Sequence, residues 1–283
     1  MTEVLAGHEY TVVEGVGSLG KLLSASGESA VYQMETDGTS PQTVIELRRS
    51  DSTEADNQLA RWHERTELSH PNLLRLHKAG RAIVNDVPVI YVVLEWADES
   101  LAEVLSVRPL RTEEASEILR PTLLALDYLH KSGYTQGSLE PSKIRAVGDT
   151  LKLSAGDVLR IDEGGNPADD MWDFGLVLVQ AITGSAPQLE RGFDPAGIPQ
   201  LVSEPFNGIV RHCLDVNAET RWTAEQALHW LSYSADVDTP AVRQPFVIPE
   251  PAVDRATPVN RRWVYASTIV LLLVGGIGWL ASK

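Results

Sequence analysis

The secondary-structure signal changes character once along this chain, and that change limits the folds open to it. Residues 22–95 are mostly strand-like. Ala30-Val31-Tyr32, Thr43-Val44-Ile45 and Val89-Ile90-Tyr91-Val92-Val93-Leu94 are β-branched or aromatic runs parted by turn residues. One helical stretch, residues 53–68, interrupts them, with Leu59 and Trp62 on one face. From about residue 113 the pattern is helical. Residues 117–130, 172–182 and 206–214 all place apolar side chains at helical spacing. A β part followed by an α part, with no internal repeat, predicts an α+β chain with two lobes.

Charge and cysteine content narrow the function. The 283 residues hold 39 acids against 24 Lys and Arg, a net charge of −15. Nucleic acid is not expected as a partner, because phosphate binding needs clustered cations. A single cysteine, Cys213, excludes a disulfide framework and any multi-cysteine metal site. The histidines, His63, His70, His77 and His130 among them, show no HExxH-type spacing and read as surface or structural residues. No metal site is expected.

The two ends differ from the middle. MTEVLAGHEYTVVEG has no basic start and no apolar run, so it does not read as a secretory signal. Residues 263–280, WVYASTIVLLLVGGIGWL, carry no charge. As a helix they would span about 27 Å, close to the hydrocarbon thickness of a bilayer. Trp263, Tyr265 and Trp279 stand near the two ends, where interfacial aromatics belong. Arg261 and Arg262 precede the span, which predicts a single-pass membrane protein with its N-terminal part in the cytoplasm. Residues 235–260 hold five prolines and read as a juxtamembrane spacer, reaching about 80 Å if fully polyproline-like and about 28 Å if flexible. Within it, Thr239 and Thr257 each precede a proline and are candidate phosphorylation sites. The expected division is an N-terminal extension (1–21), a folded domain (22–234), the linker (235–260) and a transmembrane helix (263–280).

Several segments of the middle resemble the protein-kinase family. His70-Pro71-Asn72-Leu73-Leu74 resembles its HPNI segment, and Val93-Leu94-Glu95-Trp96 its hinge. Residues 126–134 resemble the helix entering the catalytic loop. Leu139-Glu140-Pro141-Ser142-Lys143-Ile144 stands where the family has DLKPxNI, and Leu151-Lys152-Leu153-Ser154-Ala155-Gly156 where it has the metal-binding DFG stretch. Asp170-Met171-Trp172-Asp173-Phe174-Gly175 resembles the start of its large C-lobe helix, and Cys213-Leu214, Arg221 and Ala224-Glu225-Gln226-Ala227-Leu228 its last signature block. In order and spacing they cover residues 22–233. The resemblance implies a eukaryotic-like serine/threonine kinase fold, with a small β-rich N-lobe and a larger helical C-lobe, here joined to one C-terminal transmembrane helix.

Carried over position by position, the resemblance also implies that the family's chemistry is missing. The strand lysine falls at Glu46, the catalytic aspartate at Ser138, and the two metal ligands at Lys143 and Ser154. A serine is no base near neutral pH. The glycines of the phosphate loop fall at Ser24, Ser26 and Ser29, and the adenine-floor leucine at Arg145. Val31, Val44, Leu94, Glu95 and Arg145 would line what remains of the pocket. Asp157 lies near the metal position, but one carboxylate among Lys143, Arg145 and Lys152 makes a poor magnesium site. Gly15-Val16-Gly17-Ser18-Leu19-Gly20 matches GxGxxG. No helix signal follows it, so a plain turn is expected and phosphate binding is the alternative. The segment from Ser154 to Asp170 is about half the family's usual length and has no APE match, which leaves Arg221 as a surface or packing residue.

The expectation is therefore a pseudokinase that is not an enzyme, binds neither ATP nor magnesium, needs no cofactor, and serves as a membrane-anchored scaffold for a protein partner. The alternatives are a divergent kinase or other ATP-using transferase with rearranged residues, and a sensor that holds another ligand in the pocket. One contact is specifically expected. In the family the strand lysine pairs with a glutamate on the N-lobe helix. Counting back from His70 puts that glutamate at Arg61, so Glu46 and Arg61 are expected to pair with reversed signs, with Arg145 as the rival partner of Glu46.

Overall fold

A computed structural model describes residues 5–26, 29–35, 43–50, 53–187, 194–195 and 197–237, all within one compact unit. The first half is a six-stranded antiparallel sheet: β1 (Val12–Val13), β2 (Gly17–Ser26), β3 (Ser29–Met34), β4 (Thr43–Arg49), β5 (Leu76–Val84) and β6 (Val87–Glu95), in the order β1-β2-β3-β4-β6-β5. The run that is richest in β-branched residues becomes the interior strand β6. Its residues Val89 to Val93 are all buried, as expected of a strand with neighbours on both sides and cover on both faces.

The helix α1 (Thr53–Thr66) crosses one face of the sheet. Acidic Glu54 and Asp56 in its first turn and His63 and Arg65 in its last complement the helix dipole. Trp62, 1% exposed, anchors it. The opposite face buries Leu19, Tyr32, Ile45, Leu47, Tyr91 and Val93 together with Leu5 and Val13. The N-terminal residues therefore belong to this lobe. The Tyr32 hydroxyl donates to the Leu5 carbonyl, and β2 begins at Gly17, ahead of the expected boundary at 22.

The second half is helical. It comprises α2 (Leu101–Val107), α3 (Thr112–Lys131), α4 (Pro167–Thr183), α5 (Phe206–Cys213) and α6 (Ala224–Val237), with short strands β7 (Glu99–Ser100), β8 (Tyr134–Thr135), β9 (Ile144–Val147), β10 (Thr150–Leu153) and β11 (Leu159–Arg160). The helix α3 starts where Glu114 accepts from the Arg111 amide and takes both Nη atoms of Arg108, at 2.7 and 3.0 Å. Those bonds, led by Arg108 and opposed by burial, hold the Glu114 carboxyl down to about 2. At the head of α4, Asn166 caps the Ala168 amide and Pro167 takes the first helical position. Gly184, at φ +75°, closes that helix in the left-handed conformation. Trp172, Phe174 and Leu178 of α4 have no exposed surface, so this helix is the axis of the lobe. Cys213 is buried beside it, and burial pushes its thiol up to about 12.

One continuous core runs from α1, β5 and β6 into the helical lobe. Two backbone bonds stitch the lobes between the segment preceding β5 and strand β10: Leu74 N to Leu153 O and Leu153 N to Asn72 O, both 2.8 Å. The Asn72 side chain adds a bond to the Leu151 carbonyl. The helix α6 continues to Val237, past the expected domain end at 234. Among the described residues no helix is long and apolar enough to cross a membrane. The uncharged stretch 263–280 and the linker threonines lie outside the described residues.

Candidate functional site

The cleft between the lobes gathers most of the positions singled out from the sequence. Its roof is the sheet. Cross-strand register sets Val31 opposite Glu46 and Val44 opposite Leu94, so the expected pocket residues stand side by side and half-buried. The β2–β3 hairpin carries Ser24, Ser26 and Ser29, with Ser26 paired to Ser29, at the place where counting from Glu46 puts the phosphate loop. The GxGxxG segment lies elsewhere. Gly15 and Gly17 have φ of +70° and +145° in the turn from β1 to β2, and a Cβ on Gly20 would stand 3.0 Å from the Gln33 carbonyl oxygen. These glycines serve a turn and a close strand approach, and strand β2 continues from them where a dinucleotide-binding glycine loop would open a helix.

The floor of the cleft is the β9–β10 hairpin and the loop before it. Arg145 and Lys152 are cross-strand neighbours. Positions 143 and 154, the two metal-ligand positions implied by the resemblance, are adjacent: the Ser154 amide donates to the Lys143 carbonyl at 2.8 Å. Their side chains are an ammonium and a hydroxyl, and the ammonium is ion-paired to Asp157. That donor set does not fit magnesium, which wants carboxylate and carbonyl oxygens. Lys152 crosses to the hinge and bonds Glu95 at 2.6 Å, with both side chains about four-fifths buried. Glu95 also accepts from the Arg75 amide. Ser138 is exposed, on the loop where the family keeps its catalytic aspartate.

The expected charge-reversed pair does not form. Glu46 accepts from Arg48 Nε at 2.7 Å, two residues along the same strand face. Arg61 pairs with Glu54 on its own helix, at the surface. Arg145, the rival, donates to the Ser142 carbonyl. The tie between α1 and the cleft is Arg65, one helical turn further on. Arg65 is 4% exposed, and its guanidinium donates to the carbonyls of Gly156 and Val158. Burial lowers its pKa from the ordinary arginine value, against the pull of Asp157. An arginine in the last turn of an amphipathic helix looks like a dipole partner in sequence, and no short-range signal marks it as a cross-lobe contact. Glu46→Ala and Arg61→Ala are therefore expected to act independently. Each should cost about 1 kcal/mol or less, as partly exposed pairs do, with coupling below about 0.5 kcal/mol in a denaturant double-mutant cycle. Coupling above about 1 kcal/mol would show that the two meet in solution.

Sequence reasoning also missed what Asp170 holds. It is 1% exposed in the first turn of α4 and accepts three bonds: Gln136 N at 2.7 Å, Gly137 N at 3.0 Å and His130 Nε2 at 2.8 Å. Asp173, one turn on, accepts from the Leu139 amide. The two carboxylates hold the whole loop that carries Ser138. Gly137 sits at φ +78°, where an added Cβ would meet Leu159 at 2.8 Å, so the loop needs glycine here. The shortened segment after Ser154 feeds directly into β11, which pairs with β8. Of the two roles open to Arg221, packing is the one it takes. It is 6% exposed, lies 4.9 Å over the Trp172 ring, and donates to the Ala168 and Asp215 carbonyls.

Comparisons with known proteins agree with this anatomy. No family model matches the chain. A protein named as a probable serine/threonine-protein kinase of Streptomyces coelicolor is 27% identical over 179 residues, covering 60% of this chain and 25% of that protein. The serine/threonine-protein kinase PknB of Mycobacterium leprae is 21% identical over 250 residues, covering 72% of this chain and 40% of that protein. The chain thus spans less than half the length of either. Among solved structures, the PknI kinase domain of Mycobacterium tuberculosis superimposes with a TM-score of 0.63 at 14% identity, over 81% of this chain and 98% of that one. A point mutant of the same domain gives 0.62 at 16% identity, over 80% of this chain and 98% of that one. These findings correct one expectation. The reading of the chain as no enzyme conflicts with relatives that are named as protein kinases, and it is withdrawn. In sequence and in fold the chain is kinase-like, a two-lobed protein-kinase fold with serine/threonine kinases as its relatives.

Proposed function

We propose that the chain is a signalling protein of the kinase fold that works as a scaffold, presenting its lobes to a protein partner at a membrane. The observation that carries this reading is the bracing of the cleft. Lys152 holds Glu95 of the hinge, and Lys143 holds Asp157 at the metal position. The polar groups that would meet a nucleotide and its metal are thus engaged with one another, and the acidic Glu46 stands where a phosphate-binding cation is needed. The uncharged stretch 263–280 with Arg261 and Arg262 before it supports the membrane tether, with the kinase-like lobes on the cytoplasmic side. The names of the relatives support a second reading, a divergent protein kinase that uses ATP through rearranged residues.

A thermal-shift titration of the full chain with ATP, with and without magnesium or manganese, separates the two. The scaffold reading expects no metal-dependent rise in melting midpoint at millimolar ATP. A site filled to a hundred times its dissociation constant would add about 2.7 kcal/mol, which is easily seen. A magnesium-dependent shift, or phosphate from ATP incorporated into any protein, would establish the divergent kinase instead.

A further inference from the structure

On the helical lobe, outside the cleft, the surface carries a group of aromatic rings that the kinase-like anatomy does not use. Trp222 precedes α6 and Trp230 lies in it. Their rings stand 6.1 Å apart at 50° and form two walls of a notch of about 450 Å³, completed by Gln226 and His229. His212, near the end of α5, stacks on Trp222 at 3.9 Å with the rings 9° from parallel. It is not among the residues that line the notch. A backbone bond from Trp222 N to His212 O fixes the stack. Burial, with Arg211 beside it and Asp215 opposing, lowers the His212 pKa from its ordinary value.

The Trp230 ring has an acidic neighbour. A Cβ built on Gly208 of α5 would stand 3.0 Å from Trp230 Cζ2 and 3.6 Å from Glu204 Oε2. The missing side chain thus lets the carboxylate and the edge of the indole flank one spot on the helix. Glu204 is held there by the Gly208 amide at 3.4 Å, and Arg211 donates to Asn207. Indole rings attract a cation through their quadrupoles, and a carboxylate near the Trp230 edge adds to that attraction. A flat guanidinium suits the space between two tilted rings better than a compact ammonium does. The chain carries −15 overall, which draws basic partners towards it.

We propose that the Trp222–Trp230 notch is a docking site for an arginine side chain from a basic segment of a partner protein. The proposal is independent of what the cleft binds, since it uses none of the cleft's residues.

The test uses the full chain labelled with 5-fluorotryptophan, with the Trp222 and Trp230 resonances assigned by Trp→Phe variants. The probe is a capped pentapeptide, Gly-Gly-Arg-Gly-Gly, and the comparator carries norleucine in place of arginine. The arginine peptide is expected to shift both resonances saturably, while the comparator binds at least about tenfold more weakly. Glu204→Gln should weaken the arginine peptide several-fold at an unchanged melting midpoint, a change that loss of folding does not explain. Equal binding of the two peptides, no effect of Glu204→Gln, or the absence of a saturable shift would each overturn the proposal. So would shifts produced by phosphatidylcholine vesicles and not by the arginine peptide, because the cation would then come from a lipid headgroup.

Discussion

Arg65→Ala is expected to lower the melting midpoint by about 10 °C. The guanidinium reaches from the last turn of α1 to two carbonyls, Gly156 and Val158, that lie 91 and 93 residues further along the chain. Hydrogen bonds from a charged donor contribute about 1.5–3 kcal/mol each, and the alanine variant would leave the buried Val158 carbonyl and the half-buried Gly156 carbonyl without that donor. A loss of about 3–5 kcal/mol follows, and in a domain of this size each kcal/mol moves the midpoint by about 2–4 °C. Arg65→Lys should recover less than half of it, because one ammonium on a flexible stem cannot fork to two carbonyls as the planar group does. Arg65→Met keeps most of the stem's packing and should fall near alanine if the bonds carry the effect. Hydrogen exchange supplies a local readout: amides of residues 156–160 should lose protection first in Arg65→Ala. A midpoint change of about 1–2 °C, with protection at 156–160 intact, would show that α1 is held by Trp62 and its apolar neighbours alone.

Much of the fold was legible in the sequence because its elements are locally consistent. The β-branched run before Glu95 could only be a strand, and the Leu59/Trp62 face of residues 53–68 could only be a helix packed on one side. What was missed falls into two kinds. Strand β5, LHKAGRAIV, mixes charged and small residues because only some of its positions face a core, so its period is blurred. The contacts around the cleft were missed for a different reason. Counting along a family pattern set Arg61 against Glu46, but pairing depends on direction and reach. On α1 the guanidinium of Arg61 is within reach of Glu54 at low cost in the solvent, and Glu46 is satisfied by Arg48 on its own strand. The position one turn later inherits the role of linking helix to cleft, with backbone carbonyls as partners, and carbonyls have no sequence signature. On the floor, Arg145 and Lys152 are cross-strand neighbours because register in a hairpin of four-residue strands leaves few options, and Ser154 bonds the Lys143 carbonyl just beyond it. Which of those cations would find a carboxylate, and which a carbonyl, was visible only in three dimensions.

The second large effect is expected at Asp170. Three donors converge on its two oxygens, two of them amides of the loop that carries Ser138 and the third the His130 ring at the end of α3. The carboxylate lies in the first turn of α4, where the helix dipole adds to its stability. Asp170→Ala strands all three donors in a site 1% exposed, and the cost should be about 4 kcal/mol, within the range for removing one partner of a buried charged network. Asp170→Asn is the sharper variant. An amide retains one acceptor oxygen but turns an NH2 group towards a position that accepted an N–H, so one bond is lost and a donor faces a donor. It should therefore lose more than half of the alanine effect in spite of its matching shape. His130→Ala gives the coupling. In the native background it removes one donor from the carboxylate. In the Asp170→Ala background that donor has no partner left, so its loss should cost little or nothing. The cycle should then show at least about 1 kcal/mol of non-additivity by denaturant unfolding. Limited proteolysis adds a local measure, since a loop freed from α4 should be cut near Ser138 before the domain unfolds. Additive losses together with an uncut loop would mean that the loop is held by Asp173 and its own turn geometry, and that Asp170 is merely a well-buried carboxylate.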